Sequence, residues 1–394
     1  MRIIQLTNWH RYGGGSDYIA QATTDLLRAR GHYVLLMDHD SRLMHGTFKG
    51  KAEAFLRGIY SPRARTEMRE TLRSFQPDVV HVHELYPFHS PWVLEDCARY
   101  GVPVVMTCHD FRLTCPVATH LHKGRFCDRC ARGGAHWCAI KNCRGNVFES
   151  LGFAARSTVA NLFDLFRAHV ALFIAPSYFL RDQLVKSGLP EERFVVIANT
   201  VSSVDSPVDP CKGAYIAYAG RIAPEKGVDT LLEAARQTGL PVHIAGGELQ
   251  TPIPDTVRVL GHLNAKELAR FYRGARFVVV PSRWCEVFGL VAAEAMMHGL
   301  PVIAARSGAL PELVEDGETG LVFEAGNAKD LAIKMTALWN SPMLCSSLGA
   351  EGRRKALKLY TADAYCDRLM NAYSSTAKGE HVVDARQHQG IGVL

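Results

Sequence analysis

The chain has 394 residues, 47% hydrophobic and 21% charged, which is too long for one ordinary compact domain and apolar enough to exclude disorder. Lys and Arg number 45 against 39 Asp and Glu, a surplus of +6 that is too mild to mark a nucleic-acid binder. The surplus is uneven: residues 1–200 hold 25 basic and 18 acidic residues, the rest 20 and 21. A basic first half suits an anionic partner, such as a membrane surface or a phosphorylated acceptor, or is simply a solvated surface.

In chain order, residues 2–7 read as a strand, not as a signal peptide. No apolar run reaches about 18 residues, so no membrane span is expected. The expected location is cytoplasmic, at most peripheral on the inner face of the cytoplasmic membrane. There the 11 cysteines should not form a disulfide scaffold. A helix follows at 16–30, a strand at 33–37, a helix at 63–75 and buried strands at 77–83 and 102–107. Further strands read at 170–174 and 194–197. The alternation predicts a parallel sheet with helices on both faces. Residues 199–213 are rich in Ser, Pro and Asp and read as a linker. Strands then resume at 215–219, 242–245, 257–260, 277–280 and 301–304, predicting a second doubly wound domain. The expected division is therefore 1–200, 201–360, a last helix at 361–378 and a flexible tail at 379–394. Two such domains facing each other would make a cleft at the carboxyl ends of their strands.

Three segments carry candidate chemistry. Gly13, Gly14 and Gly15 precede a helix, as a phosphate cradle or a plain tight turn would. The run Gly220-Arg-Ile-Ala-Pro-Glu-Lys-Gly227 sits between a strand and a helix. Its Arg221 and Lys226 could neutralise a diphosphate together with helix-end amides. The run Pro281-Ser-Arg-Trp-Cys-Glu-Val-Phe-Gly-Leu-Val-Ala-Ala-Glu-Ala295 places Glu286 and Glu294 about a helix start near Gly289. Carboxylates suit sugar hydroxyls, and the amides of Phe288, Gly289 and Leu290 suit an anion. The two acids could equally just complement the helix dipole.

These runs, followed by Gly299-Leu-Pro-Val-Ile-Ala and Glu315-Asp-Gly-Glu-Thr-Gly-Leu321, resemble the retaining family-4 glycosyltransferases of the GT-B fold. The resemblance covers the second domain in order and the first more weakly. It implies that Arg221 and Lys226 hold the donor diphosphate and stabilise it as leaving group. Glu294 would bind the nucleotide ribose. Glu286 and the amides at 288–290 would hold the transferred sugar, and Gly14 and Gly15 would close over the phosphates. His109, in Thr107-Cys-His-Asp110, would face donor sugar and acceptor, or be a buried structural histidine. The implied reaction is a front-face displacement in which the departing diphosphate takes the acceptor's proton, with no catalytic metal or other cofactor. The last helix would return to the first domain. Asn199-Thr-Val-Ser202 and Gly246-Gly-Glu248 depart from the family pattern.

Two features are not explained by those motifs. Residues 110–146 interrupt the pattern with Cys115, Cys127, Cys130, Cys138 and Cys143 and few apolar residues. Such a segment needs a staple, and in a reducing compartment zinc is expected on Cys127, Cys130, Cys138 and Cys143. Cys115, His120, His122 and His136 are substitutes, and free thiols are the alternative. Residues 148–170 form an amphipathic pattern with Leu151, Ala155, Val159, Leu162, Phe163, Phe166 and Val170 on one face. That face should pack on the sheet, or else insert at a membrane surface.

The leading expectation is a retaining glycosyltransferase using a nucleoside diphosphate sugar and a saccharide or lipid-linked saccharide acceptor, in exopolysaccharide, capsule or O-antigen synthesis. The alternatives are a nucleotide-sugar epimerase or hydrolase on the same fold, and a zinc-containing binding module. No nucleic acid is expected as partner.

Overall fold

The computed structural model describes residues 1–9, 14–40 and 48–380. It divides into two compact units, Met1–Ile197 with Cys366 onward, and Ala198–Tyr365. In the first unit the order is β1 (Arg2–Trp9), α1 (Gly15–Ala29), β2 (Tyr33–Asp40), α2 (Phe48–Ile59), α3 (Pro62–Phe75), β3 (Val79–Val82), α4 (Trp92–Arg99) and β4 (Val104–Thr107). A small insert follows: the hairpin β5 (Leu121–His122) and β6 (Arg125–Phe126), then α5 (Arg129–Gly133) and α6 (His136–Ile140). The unit continues with α7 (Val147–Leu162), α8 (Leu165–His169), β7 (Leu172–Ala175), α9 (Tyr178–Lys186) and β8 (Phe194–Val196). Its main sheet is wholly parallel in the order β2-β1-β3-β4-β7-β8. The central strands β3, β4 and β7 are buried on both faces, which is why their sequences are nearly unbroken apolar runs.

The second unit contains β9 (Tyr215–Ala219), α10 (Val228–Thr238), β10 (Val242–Ala245), β11 (Val257–Val259), α11 (Ala265–Gly274), β12 (Ala275–Val280) and α12 (Leu290–Met297). It closes with β13 (Val302–Ala305), α13 (Leu310–Leu313), β14 (Gly320–Phe323), α14 (Ala328–Trp339) and α15 (Pro342–Leu359). The sheet is parallel in the order β11-β10-β9-β12-β13-β14. After it, α16 (Ala362–Ala377) supplies Tyr373 to the first unit, where it is fully buried.

Three expectations need correction. The stretch 199–213 is not a loose linker: the amide of Val201 binds the Tyr360 carbonyl at 2.9 Å and that of Val208 binds His298 at 2.7 Å, which ties it to the second unit. The helix expected over 148–170 breaks at Asp164, whose φ of 50° ends α7 and starts α8. Its apolar face is also not packed on the sheet. Leu151, Ala155, Leu162 and Phe163 are exposed, as are Val147 and Phe148, while Val170 alone of that set is buried. The buried face of α7 is Ser150, Gly152, Ala154 and Ala160. Small residues let α7 lie close to α2, where a Cβ on Gly152 would stand 2.9 Å from the Phe55 ring. The tail beyond Glu380 lies outside the described residues. Among the described residues no helix is long and apolar enough to cross a membrane.

Candidate active site

In the second unit the strand order reverses between β9 and β12, where ligands settle in an open parallel sheet. Both strands end there in motif residues. After β9, Arg221 leads to a 3-10 turn, Pro224–Lys226, and Gly227 starts α10. Gly227 has φ +70°, and a Cβ on it would stand 1.9 Å from the Pro281 carbonyl oxygen. Glycine alone lets this turn lie against the end of β12. The Glu225 carbonyl then accepts hydrogen bonds from the amides of Arg283, at 2.9 Å, and Trp284, at 3.1 Å.

This clip seats Lys226 beside Glu286. The ammonium Nζ donates to Glu286 Oε1 at 2.5 Å, and the Ser282 hydroxyl donates to the same oxygen. The two side chains are only 19% and 12% exposed. The Trp284 ring lies 5.5 Å from Nζ. One fixed cation and one fixed carboxylate at a strand crossover can serve a diphosphate and sugar hydroxyls. Arg221 shares the strand end, but its side chain is 67% exposed and its ion-pair partner is Glu225, at 3.7 Å.

Gly289 caps α12 with φ +110°, and Phe288 is buried edge-on against Tyr360, ring centroids 5.5 Å apart. Leu290 is the first residue of the helix, and among the described residues no side chain caps it. Glu294 lies one turn on and accepts from the Tyr272 hydroxyl at 3.1 Å. Burial pushes its carboxyl above the usual range, and the Tyr272 hydrogen bond opposes that rise.

In the first unit, Gly14 stands in extended backbone before α1 and Gly15 begins that helix, while Gly13 lies outside the described residues. His109 follows β4 and is half-buried, with Nε2 at 3.0 Å from His83 Nδ1. Next to it, the Arg112 guanidinium binds Asp110 at 2.9 and 3.1 Å through Nε, and also pairs with Glu84. Burial works to raise the Asp110 carboxyl, yet Arg112 holds it below its ordinary value. Gln5, His81 and His83 complete this corner and are almost wholly buried. Burial pushes the His81 imidazole down to about 3 and lowers His83 well below its usual value.

The cysteines converge only loosely. Burial pushes the Cys130 and Cys138 thiols up to about 12, and nearby Cys115 and Cys143 push the same way in both. Cys143 Sγ lies 3.9 Å from His122 Nδ1, and the Lys141 ammonium lies 3.5 Å from Cys127 Sγ. His136 packs on Trp137, and His120 bonds Thr114. Among the described residues no group of three or more His, Cys, Asp or Glu is arranged to hold a metal ion.

Sequence reasoning did not assign roles to Ser282, Trp284 or Tyr272, nor to Gln5, His81, His83 or Tyr373. The signal available for one pair was the alternation His81-Val-His83, which places both imidazoles on the same side of the chain as it leaves β3.

Two Rossmann-like units of this order, one with a cation and a carboxylate at its crossover, define a glycosyltransferase of the GT-B class. Comparison with known proteins gives the family. Residues 12–203 match the profile described as Glycosyltransferase Family 4, and residues 205–355 that of Glycosyl transferases group 1. A D-inositol 3-phosphate glycosyltransferase of Rhodococcus opacus is 34% identical over 342 residues, 81% of this chain and 71% of that protein. An uncharacterized glycosyltransferase of Methanocaldococcus jannaschii is 35% identical over 196 residues, and the match spans 47% of this chain and only 54% of that protein. Among solved structures, Anabaena HepE in complex with UDP and glucose superposes with a TM-score of 0.65 at 17% identity, over 95% of this chain and 100% of that one. The chain belongs to the family-4 glycosyltransferases.

Two outcomes follow from the geometry. Gly227→Ala should lower kcat/KM by roughly a hundredfold with the fold retained, because the turn that seats Lys226 must move; steady-state kinetics beside circular dichroism checks this. The neutral, buried His81 and His83 bind fewer protons folded than unfolded, so their contribution to stability is complete above pH 6.5 and is lost as pH falls. Each should cost about 1.4 kcal/mol per pH unit below that point. Urea unfolding between pH 7 and 5 should show the loss, with a shallower slope in His83→Phe.

Proposed function

We propose that this chain moves a sugar from a UDP-sugar to a hydroxyl of a lipid-linked saccharide at an anionic membrane surface, with retention at the anomeric carbon. In the reaction the acceptor oxygen bonds to the anomeric carbon on the face that the diphosphate leaves. The bond from that carbon to the phosphate oxygen breaks, and the acceptor proton passes to the departing diphosphate. Lys226, with Arg221 swung from Glu225, supplies positive charge where the leaving group gathers negative charge. Glu286 accepts from the sugar's hydroxyls, and Glu294 from the ribose. The UDP assignment leans on the nucleotide in the Anabaena HepE complex, and the cation chemistry requires no catalytic metal.

The outward apolar stripe of α7 carries the acceptor side of this reading. Phe148 is 82% exposed and Leu162 76%, with Val147, Leu151 and, on α6, Ile140 also exposed. The preceding insert is strongly basic: residues 123–145 hold six Lys or Arg and one acidic residue, and five of the six cations are exposed. An apolar stripe beside such cations suits the interface of an anionic bilayer. A second acceptor class, a soluble phosphorylated polyol, is favoured by the name of the Rhodococcus relative.

We also propose a structural zinc for the insert, on Cys127, Cys130, Cys138 and Cys143 with Cys115 as substitute. Between residues 117 and 146 only His120, Ala135 and Cys138 are buried, so the insert has almost no apolar core of its own. To bind the ion, these thiols must ionise and draw closer than they stand here.

Three measurements check these proposals. UDP should raise the thermal midpoint where GDP, ADP, CMP and dTDP do not, by the equivalent of about 2.7 kcal/mol at a hundred times its dissociation constant. No shift with UDP would remove the donor assignment. The double variant Phe148→Asp, Leu162→Asp should weaken flotation with phosphatidylglycerol vesicles by roughly tenfold or more and leave the UDP shift intact. Flotation that is unchanged, or turnover of inositol phosphate without lipid, would overturn the membrane acceptor. Purified protein should carry close to one zinc, and less than about half an equivalent in a folded sample would refute the ion.

A further inference from the structure

The first unit holds a chain of hydrogen bonds that ends on His109. Gln5 on β1 faces His81 on β3 as a registered strand partner. Its amide nitrogen lies 3.2 Å from His81 Nδ1 and donates to the Tyr373 hydroxyl of α16 at 3.1 Å. Its amide oxygen lies 2.7 Å from His83 Nε2. Tyr373 in turn lies 2.5 Å from His81 Nδ1, and His81 Nε2 lies 2.7 Å from the Thr107 hydroxyl. The last link is His83 Nδ1 to His109 Nε2, 3.0 Å. Gln5, His81 and Tyr373 are fully buried, and His83 is 2% exposed.

Proton counting fixes the direction of these bonds. A neutral imidazole has one donor nitrogen and one acceptor. The Gln5 oxygen can only accept, so His83 Nε2 carries the proton. His83 Nδ1 is then an acceptor, and the proton between the two rings belongs to His109 Nε2. On the other side the Gln5 amide donates toward His81 Nδ1 and Tyr373, so His81 donates from Nε2 to Thr107. Gln5 Nε2, His81 Nδ1 and the Tyr373 hydroxyl form a closed triangle, so no polar atom in the row is left without a partner, which suits a buried network.

We propose that His83, oriented by Gln5 and Tyr373, is a positioning residue that holds His109 in its Nε2–H tautomer and so sets the ring for its work on the substrate. This rests on His109 serving the transferred sugar or acceptor. It extends that reading by naming what sets the ring's tautomer. A misoriented Gln5 would reverse every proton in the row, so the residue acts as the selector. Among the described residues, charged and titratable groups about His109 include His81 on β3, His83 and Glu84 just after it, Asp110 and Arg112 after β4, and Tyr373 on α16.

The test begins with the unaltered protein. Two-bond proton–nitrogen spectra of 15N-histidine-labelled enzyme, assigned with His109→Gln, should show His109 protonated at Nε2 and unprotonated at Nδ1. The opposite tautomer would overturn the proposal. In His83→Phe the preference should be lost, kcat should fall by roughly tenfold, and donor KM should stay within twofold. Gln5→Leu should act in the same direction and serves if His83→Phe does not fold. The loss from His83→Phe should vanish in a His109→Gln background; if it persists there, His83 is merely structural and the proposal fails. Full activity in His109→Gln would instead remove the role of His109 itself, while the spectra would still report the tautomer.

Discussion

Two backbone amides, those of Arg283 and Trp284, share the carbonyl oxygen of Glu225, and the second unit's chemistry depends on that clip. It joins the loop after β9 to the loop after β12, two segments with no sequence proximity. Pairing of β9 with β12 in a parallel sheet brings the strand ends to the same edge. The absent side chain at Gly227 then allows the last approach to Pro281. Only after both conditions are met do Lys226 and Glu286 come within hydrogen-bond range. The ion pair is therefore a product of backbone packing, and Ser282 and Trp284 hold it in place from the same loop.

The two units solve the placing of polar groups differently. The second keeps full charges, a lysine and a glutamate, and leaves each partly in reach of solvent. The first buries its row of imidazoles and keeps them neutral, so that direction, not charge, is what the row transmits. Charge suits a ligand that is itself an anion, whereas an oriented acceptor suits a neutral hydroxyl.

Much of this was legible in the sequence, for reasons that differ by element. In the second unit β9 and β10 stand where the apolar runs place them, because a largely buried parallel strand leaves a short, mostly apolar run between turn residues. The short strand β14 was missed: it begins with Gly320 and spans only Gly320–Phe323, too little for a pattern. The motif residues Lys226 and Glu286 could be named together because spacing relative to strand ends fixes where loops lie. The aspect of α7 could not be read. Periodicity tells which residues share a face, but the side turned inward was decided by close packing of Ser150, Gly152, Ala154 and Ala160, whose small size carries no hydrophobic signal. Nor could the link between Gln5 and Tyr373, 368 positions apart, be seen without the fold.

That link bears on how the chain is made. Most of the first unit precedes Ala198, but it is completed by α16, after all of Ala198–Tyr365 has been synthesised. Until Tyr373 leaves the ribosome, Gln5 and His81 lack the hydroxyl that they share, and an unmet buried polar group costs about 1–3 kcal/mol. The second unit is continuous in sequence and can settle as soon as it emerges. The unit translated first therefore cannot complete its native core until the whole of the second has been made.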